Sequence, residues 1–364
     1  MADISTELLG CSFASPVMTA AGPTGVDAAH CRRAVDGGAS ALVMKTISTA
    51  PAKVAKPCMA RCGKDGILNC ELWSELPAET YIDGEYARAK ELGVPVIASI
   101  GYTAEQLADL GPRVEATGAI DAIEFSLHYT GAGYEPVIEA AKALRTSVSL
   151  PLLAKLSPGM SEIGPLSRAL EPFVDGFVAV NSVGAALHLN EDTGAPLLGS
   201  KFGCGWLSGA PIRAIALRCV AETAAAVSKP VIGVGGIFSG TDAAAFLMAG
   251  ASAVQICTAA ILRGPGIYRT IADELDAWLD SHGYDSLDDC RGAYLAAVGK
   301  GIKPDVAGHP PHIDHARCVR CGLCVTSCPP AALTLGDNSR LACRDDLCVR
   351  CGLCLSTCPR NALS

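Results

Sequence analysis

Residues Cys318–Pro329 read CVRCGLCVTSCP, and thirty residues later Cys348–Pro359 read CVRCGLCLSTCP. Each is a C-x2-C-x2-C-x3-C-P run, in which one short loop brings three thiolates together and the fourth, set before a proline, serves the other site. The doubled spacing marks two [4Fe–4S] clusters and a small module built to hold them. One cluster is expected on Cys318, Cys321, Cys324 and Cys358, the second on Cys348, Cys351, Cys354 and Cys328. Zinc ribbons show neither the interleaved fourth cysteine nor the doubled run. Cys343 lies outside both runs and is not expected to be a ligand.

Upstream of this module (318–364), residues 299–317 (GKGIKPDVAGHPPHIDHAR) read as a linker rich in Gly, Pro and His. His309, His312 and His315 match no standard metal spacing and are read as solvated. The long N-terminal part, 1–298, offers eight short apolar runs, most followed by an Ala-rich helical stretch: Pro16–Ala21, Ala41–Thr46, Val94–Ile100, Ala122–Leu127, Pro151–Leu156, Gly176–Ser182, Pro230–Gly235 and Ala253–Thr258. Eight alternating units predict an α/β protein with a closed (β/α)8 TIM barrel rather than an open doubly wound sheet. No G-x-G-x-x-G follows the first run, which weighs against a dinucleotide-binding domain. The connection Ile47 to Gly93 is far longer than an ordinary βα loop and is expected to fold over the barrel mouth.

The composition agrees. Half of the 364 residues are hydrophobic, only 5% are aromatic, and 38 are glycines, as buried strands joined by tight turns require. Eighteen cysteines without a secretory leader point to a reducing, cytoplasmic compartment. The ten cysteines outside the two runs are read mostly as small buried apolar residues. A net charge of −8 with no basic run argues against nucleic acid and anionic membranes as partners. The module, with five arginines against three aspartates, is the mildly basic end of an acidic protein, which is expected to be a homo-oligomer.

Barrel chemistry sits at the C-terminal ends of the strands, and there polar residues interrupt the apolar runs: Lys45, Ser99, Ser126, Lys155, Asn181, Ser182 and Thr258. Two lysines in such runs point to an anionic ligand, because a buried ammonium is costly without a partner. The clusters carry electrons singly, whereas carbon substrates exchange them in pairs, so a flavin in the barrel is expected to convert between the two.

The motifs KTIS (Lys45–Ser48), NCELWSE (Asn69–Glu75), IASI (Ile97–Ile100), AKLSPG (Ala154–Gly159), VAVNSVG (Val178–Gly184), SGAPIRAIALR (Ser208–Arg218), VGGI (Val234–Ile237) and VQICTA (Val254–Ala259) together resemble the dihydroorotate dehydrogenase and dihydropyrimidine dehydrogenase family. The likeness spans the barrel, and the tail is similar to the bacterial-ferredoxin-like domain of the pyrimidine-reducing members. The resemblance implies FMN held by Ala20, Ala21, Lys45, Thr46, Ser99, Ser126, Lys155, Gly209, Gly235, Gly236, Cys257 and Thr258. It implies substrate contacts from Asn69, Asn181 and Ser182. After the fourth run the chain departs: where relatives read N-L-S-C-P, it has Ser126-Leu127-His128-Tyr129-Thr130, so the proton-transferring cysteine is replaced by Tyr129. Tyr129, with His128 as a rival and Lys45 beside the flavin, is the expected catalytic set. A phenol suits proton donation better than abstraction at neutral pH, which favours reduction. The expected activity is reduction or oxidation of a CH–CH or C=C bond next to a carbonyl, on a small unsaturated carbonyl substrate. Electrons would come through the two clusters from a ferredoxin or an NAD(P)H-oxidising flavoprotein subunit. The alternatives are a dihydropyrimidine dehydrogenase subunit, or an electron-transfer subunit with no organic substrate of its own.

Overall fold

The computed structural model describes residues 2–126, 133–159, 162–302, 309–336 and 340–364. The chain divides into two units, Met1–Ala296 and Ala297–Ser364.

In the first unit eight parallel strands form one sheet: β1 (Val17–Thr19), β2 (Leu42–Val43), β3 (Val96–Ile100), β4 (Ala122–Ser126), β5 (Leu152–Leu156), β6 (Gly176–Ala179), β7 (Val231–Val234) and β8 (Ala253–Ile256). Each expected run contributes one strand. The sheet closes between β1 and β2, where Ser40 N donates to Val17 O (2.9 Å) and Thr19 N to Ala41 O (3.2 Å). The Thr19 hydroxyl completes this seam, accepting from Val43 N at 2.7 Å and donating to Val43 O at 3.1 Å. Helices α1 (Ala28–Asp36), α2 (Tyr86–Lys90), α3 (Ala104–Glu115), α4 (Glu135–Ser147), α5 (Ile163–Leu170), α6 (Arg213–Ala226), α7 (Gly240–Met248) and α8 (Ile267–His282) follow the strands in turn. Their starts obey local chemistry: Asp27 caps α1, Ser239 caps α7, and Thr103 with Gln106 forms a capping box on α3. On α3, Leu107, Leu110 and Val114 recur at helical spacing and are the buried face.

Side chains alternate along the strands. Ile123, Phe125, Ala154, Leu156, Val254 and Ile256 face the helices. Ala122, Leu153, Val178, Ile232 and Ala253 face the barrel axis, where Leu8 and Phe13 from the hairpin Thr6–Leu8/Cys11–Phe13 join them. This period of two places Glu124, Lys155 and Gln255 in the next interior layer, above an apolar floor.

Two features differ from the sequence-based expectations. The sixth strand ends at Ala179 rather than Ser182, because the chain swings into a hairpin, Val183–Leu187 with Cys204–Gly209. That hairpin pairs with Gly66–Asn69, which pairs with Met59–Arg61, so the long Ile47–Gly93 connection and the β6 excursion share a four-stranded antiparallel sheet. The second difference lies in the supposed linker. His312 and Asp314 exchange backbone hydrogen bonds with Ser364 and Ala362, and Ile313 bridges Leu363, so the cluster module's structure starts before Cys318.

The second unit contains the short helices Leu323–Thr326 and Leu353–Thr357 and an antiparallel ribbon, Leu333–Leu335 with Leu341–Cys343. Cys324, Leu333, Leu341 and Leu363 make a core too small to stand on apolar burial alone.

Candidate active site

At the C-terminal ends of the strands lies a cleft open to solvent. Strand ends supply Ala20, Ala21, Lys45, Thr46, Ser126, Lys155, Asn181, Ser182, Gly235, Gly236, Cys257 and Thr258, and the antiparallel sheet supplies Met59, Asn69, Trp206, Ser208 and Gly209. Ser99 does not border it. It is fully buried behind Thr46, whose hydroxyl lies 2.8 Å from its own. His128 and Tyr129 lie outside the described residues.

Both lysines carry a carboxylate partner that the sequence reading did not single out. Lys45 Nζ is 3.0 Å from Glu71 Oε2. Deeper in the barrel, Lys155 Nζ donates to Glu124 Oε1 (3.1 Å) and Gln255 Oε1 (3.3 Å), while Gln255 Nε2 donates to Glu124 Oε2 (2.8 Å). The Lys155 and Glu124 side chains are 6% and 0% exposed. The charge of the cleft is therefore nearly balanced, and Lys155 is held rigidly by a closed three-residue network. Glu124 and Gln255 each sit two residues after a small interior alanine on their strands, the one sequence signal that could have exposed them.

The carboxamides are partly engaged as well. Asn69 Nδ2 donates to Trp206 O (3.1 Å), and Asn181 Oδ1 accepts from Ser182 N (2.8 Å) while its Nδ2 lies 3.4 Å from Ser126 Oγ. Burial pushes the Cys257 thiol up to about 11, against a weaker downward pull from Lys155 and Lys45, so it is neutral at physiological pH.

Between β7, β8 and the Cys204–Gly209 strand the backbone is bare. A Cβ on Gly209 would meet Asp65 O at 2.3 Å, and one on Gly236 would meet Gly209 O at 2.7 Å, with φ at +88° and +77°. Only glycine tolerates both the conformation and the crowding, and the outcome is a small-residue cradle at the place where TIM barrels hold phosphate. The bare glycine backbone, the small residues Ala20 and Ala21 and the two lysines of the cleft fit a flavin mononucleotide.

In the second unit two hollows lie among the cysteines. One is bordered by Cys318, Cys321, Cys324 and Cys358, the other by Cys328, Cys348, Cys351 and Cys354. Each thus combines three thiols of one run with the fourth of the other, as the interleaved spacing requires. Cys343 borders the second hollow too. His309 also borders the second hollow, with its Nδ1 2.9 Å from Pro310 O, whereas His312 and His315 border neither, and His315 Nε2 accepts from Arg340.

The family profile for dihydroorotate dehydrogenase matches residues 3–279, and that for a 4Fe-4S dicluster domain matches residues 311–364. The chain belongs to the dihydroorotate dehydrogenase family. Among curated relatives, the catalytic subunit of dihydroorotate dehydrogenase B (NAD(+)) from Pyrococcus abyssi is 35% identical over 304 residues, 80% of this chain and 99% of the relative. The same subunit from Thermoplasma volcanium is 33% identical over 306 residues, 81% and 99% respectively. That from Methanothermobacter thermautotrophicus is 29% identical over 299 residues, covering 79% and 97%. These alignments nearly exhaust the relatives while leaving a fifth of this chain over. Like the rest of the dihydroorotate dehydrogenase family, the chain is an oxidoreductase acting on CH–CH groups, with FMN in its barrel and, in its added domain, two [4Fe–4S] clusters. Among the described residues no helix is long and apolar enough to cross a membrane.

Proposed function

We propose that the chain reduces a carbon–carbon double bond next to a carbonyl, with electrons delivered through the two clusters by a partner redox protein in the cytoplasm. The observation that supports this reading is the cleft. Every residue that the family resemblance assigns to FMN except Ser99 borders it, together with Asn69, Asn181 and Ser182, assigned to substrate.

Bound FMN supplies hydride transfer and the exchange between two-electron and one-electron chemistry. Lys155, immobilised by Glu124 and Gln255, and Lys45, tied to Glu71, hold two ammonium groups at fixed places on the cleft, each beside its carboxylate partner. The glycine backbone at Gly209, Gly235 and Gly236 accommodates the phosphate. With FMN bound, Asn69, Asn181 and Ser182 would hold the substrate, and Tyr129, three residues beyond the cleft-lining Ser126 in sequence, would supply the proton to the carbon α to the carbonyl. In the second unit Cys318, Cys321, Cys324 and Cys358 ligate the first cluster, and Cys348, Cys351, Cys354 and Cys328 the second.

The relatives' name makes dihydroorotate the reference substrate, and the departure at Ser126-Leu127-His128-Tyr129-Thr130 argues for a different one here. A pyrimidine substrate is the second reading, favoured by the two carboxamides at the cleft. The test is to photoreduce the holoprotein anaerobically and follow flavin reoxidation by enones, unsaturated acids, orotate and uracil. Reoxidation by a non-pyrimidine carbonyl compound supports the first reading, and by uracil or orotate the second. No organic acceptor at all would leave the barrel as an electron relay. With the active substrate, Tyr129→Phe is expected to keep FMN and cluster reduction while slowing reoxidation about 100-fold or more. An unchanged rate would remove Tyr129 as the acid.

A further inference from the structure

Strands β4, β5 and β8 contribute one polar layer to the barrel interior, and its members stand at different depths. Across β4 and β5, Ser126 pairs with Lys155 and Glu124 with Leu153, so Glu124 lies two residues deeper than the lysine it binds. Lys155, Gln255 and Ser126 border the cleft, whereas Glu124 does not and is 0% exposed. Lys155 Nζ gives one hydrogen to Glu124 Oε1 (3.1 Å) and another to Gln255 Oε1 (3.3 Å), and Gln255 Nε2 closes the ring on Glu124 Oε2 (2.8 Å). An ammonium has three donors, so the third remains for a group in the cleft that Lys155 borders.

Stability alone does not call for this arrangement. Replacing a buried ion pair by apolar side chains of similar volume is often neutral or stabilising, and the layer beneath is already filled by Ala122, Leu153, Val178, Ile232 and Ala253. What the carboxylate does change is the field in the cleft. Lys155 alone would present a full positive charge there. With Glu124 3.1 Å behind it, the ammonium is the positive end of a dipole, at a depth where water screens neither charge.

We propose that Glu124 is a positioning residue that acts through Lys155 to hold the midpoint potential of the flavin down. Reduction brings negative charge into the cleft, and a cation beside it favours the reduced form; a carboxylate behind that cation offsets part of the gain. A flavin kept at lower potential is the stronger reductant, which suits the reduction of a double bond. The inference rests on FMN lying against Lys155, as in the function proposed above, and not on which substrate is reduced.

The experiment is an anaerobic redox titration of the full-length holoprotein without substrate, reconstituted with excess FMN and followed by visible absorbance, with the clusters tracked separately by EPR. Glu124→Gln is expected to raise the flavin midpoint by a tenfold or larger change in the reduction equilibrium, about 30 mV for a two-electron couple. Combining Glu124→Gln with Gln255→Glu can remake all three hydrogen bonds, but with the carboxylate now on a residue that borders the cleft, and its midpoint should fall below wild type. A purely structural role would not place the exchanged pair below wild type and the single variant above it. A Glu124→Gln midpoint at or below wild type, or an exchanged pair at or above it, overturns the proposal; should the single variant fail to fold, the exchanged pair decides alone. A Lys155→Met midpoint equal to wild type would show instead that FMN does not lie against Lys155, and would overturn that placement together with the inference.

Discussion

Lys155 and Glu124 are both enclosed, so their attraction is not diluted by solvent, and removing either leaves a charge without a partner. Lys155→Met is expected to lower stability by about 3–5 kcal/mol in urea denaturation, and adding Glu124→Gln should restore part of that loss. A double variant no more stable than the single would show that packing, not charge, is what Lys155 provides. Cys257 gives a pH dependence of defined sign. Its folded value, about 11, exceeds the ordinary 9.0, so the native state keeps a proton that the unfolded chain loses. The stability it adds is fully present below pH 9 and disappears as pH rises towards 11. Comparing wild type with Cys257→Ala across that window should show a difference that shrinks with rising pH; a constant difference would refute it. At this scale the lysines were legible, because an ammonium in an apolar run is conspicuous. Glu71, Glu124 and Gln255 were not, since a partner is chosen by register across strands up to 131 residues apart.

The glycine cradle belongs to the level of strands and their turns. Gly236→Ala would force a Cβ against Gly209 O in a left-handed backbone, a strain of about 1–3 kcal/mol, and it would crowd the proposed phosphate position. The expected result is lower FMN retention with the clusters intact, read from the flavin-to-iron ratio of the purified protein. An unchanged ratio would remove Gly236 from the phosphate site. All eight barrel strands were visible as apolar runs because both faces of a parallel sheet are buried. The antiparallel sheet over the cleft was not. Its strands Gly66–Asn69 and Cys204–Gly209 are short, carry three glycines between them and show no clean alternation, so only tertiary pairing defines them. The position of Ile313 was hidden for a similar reason: a Pro- and His-rich stretch looks like linker until its one apolar residue finds Leu363.

For the molecule as a whole, charge asymmetry makes a prediction about the electron donor. The module's arginines exceed its aspartates while the protein is acidic overall. Arg344 is held by Asp346 at 2.7 Å, whereas Arg320 and Arg350 are exposed at equivalent places in the two runs and can meet an acidic donor. Cluster reduction by an acidic ferredoxin should therefore slow as salt rises, and Arg320→Gln with Arg350→Gln should flatten that dependence. A rate indifferent to salt would rule out such docking. The barrel's own closure has a consequence in time. Strand β1 pairs on one side with β8, through Val17 with Val254 and Thr19 with Ile256. During synthesis the first strand made must wait for the last, through roughly 240 residues, or roughly 10 to 50 seconds at ordinary translation speeds. Throughout that interval the nascent chain carries a sheet edge with no neighbour. Ribosomes that stall before residue 253 would release a barrel unable to close, a species for chaperones and proteases to clear.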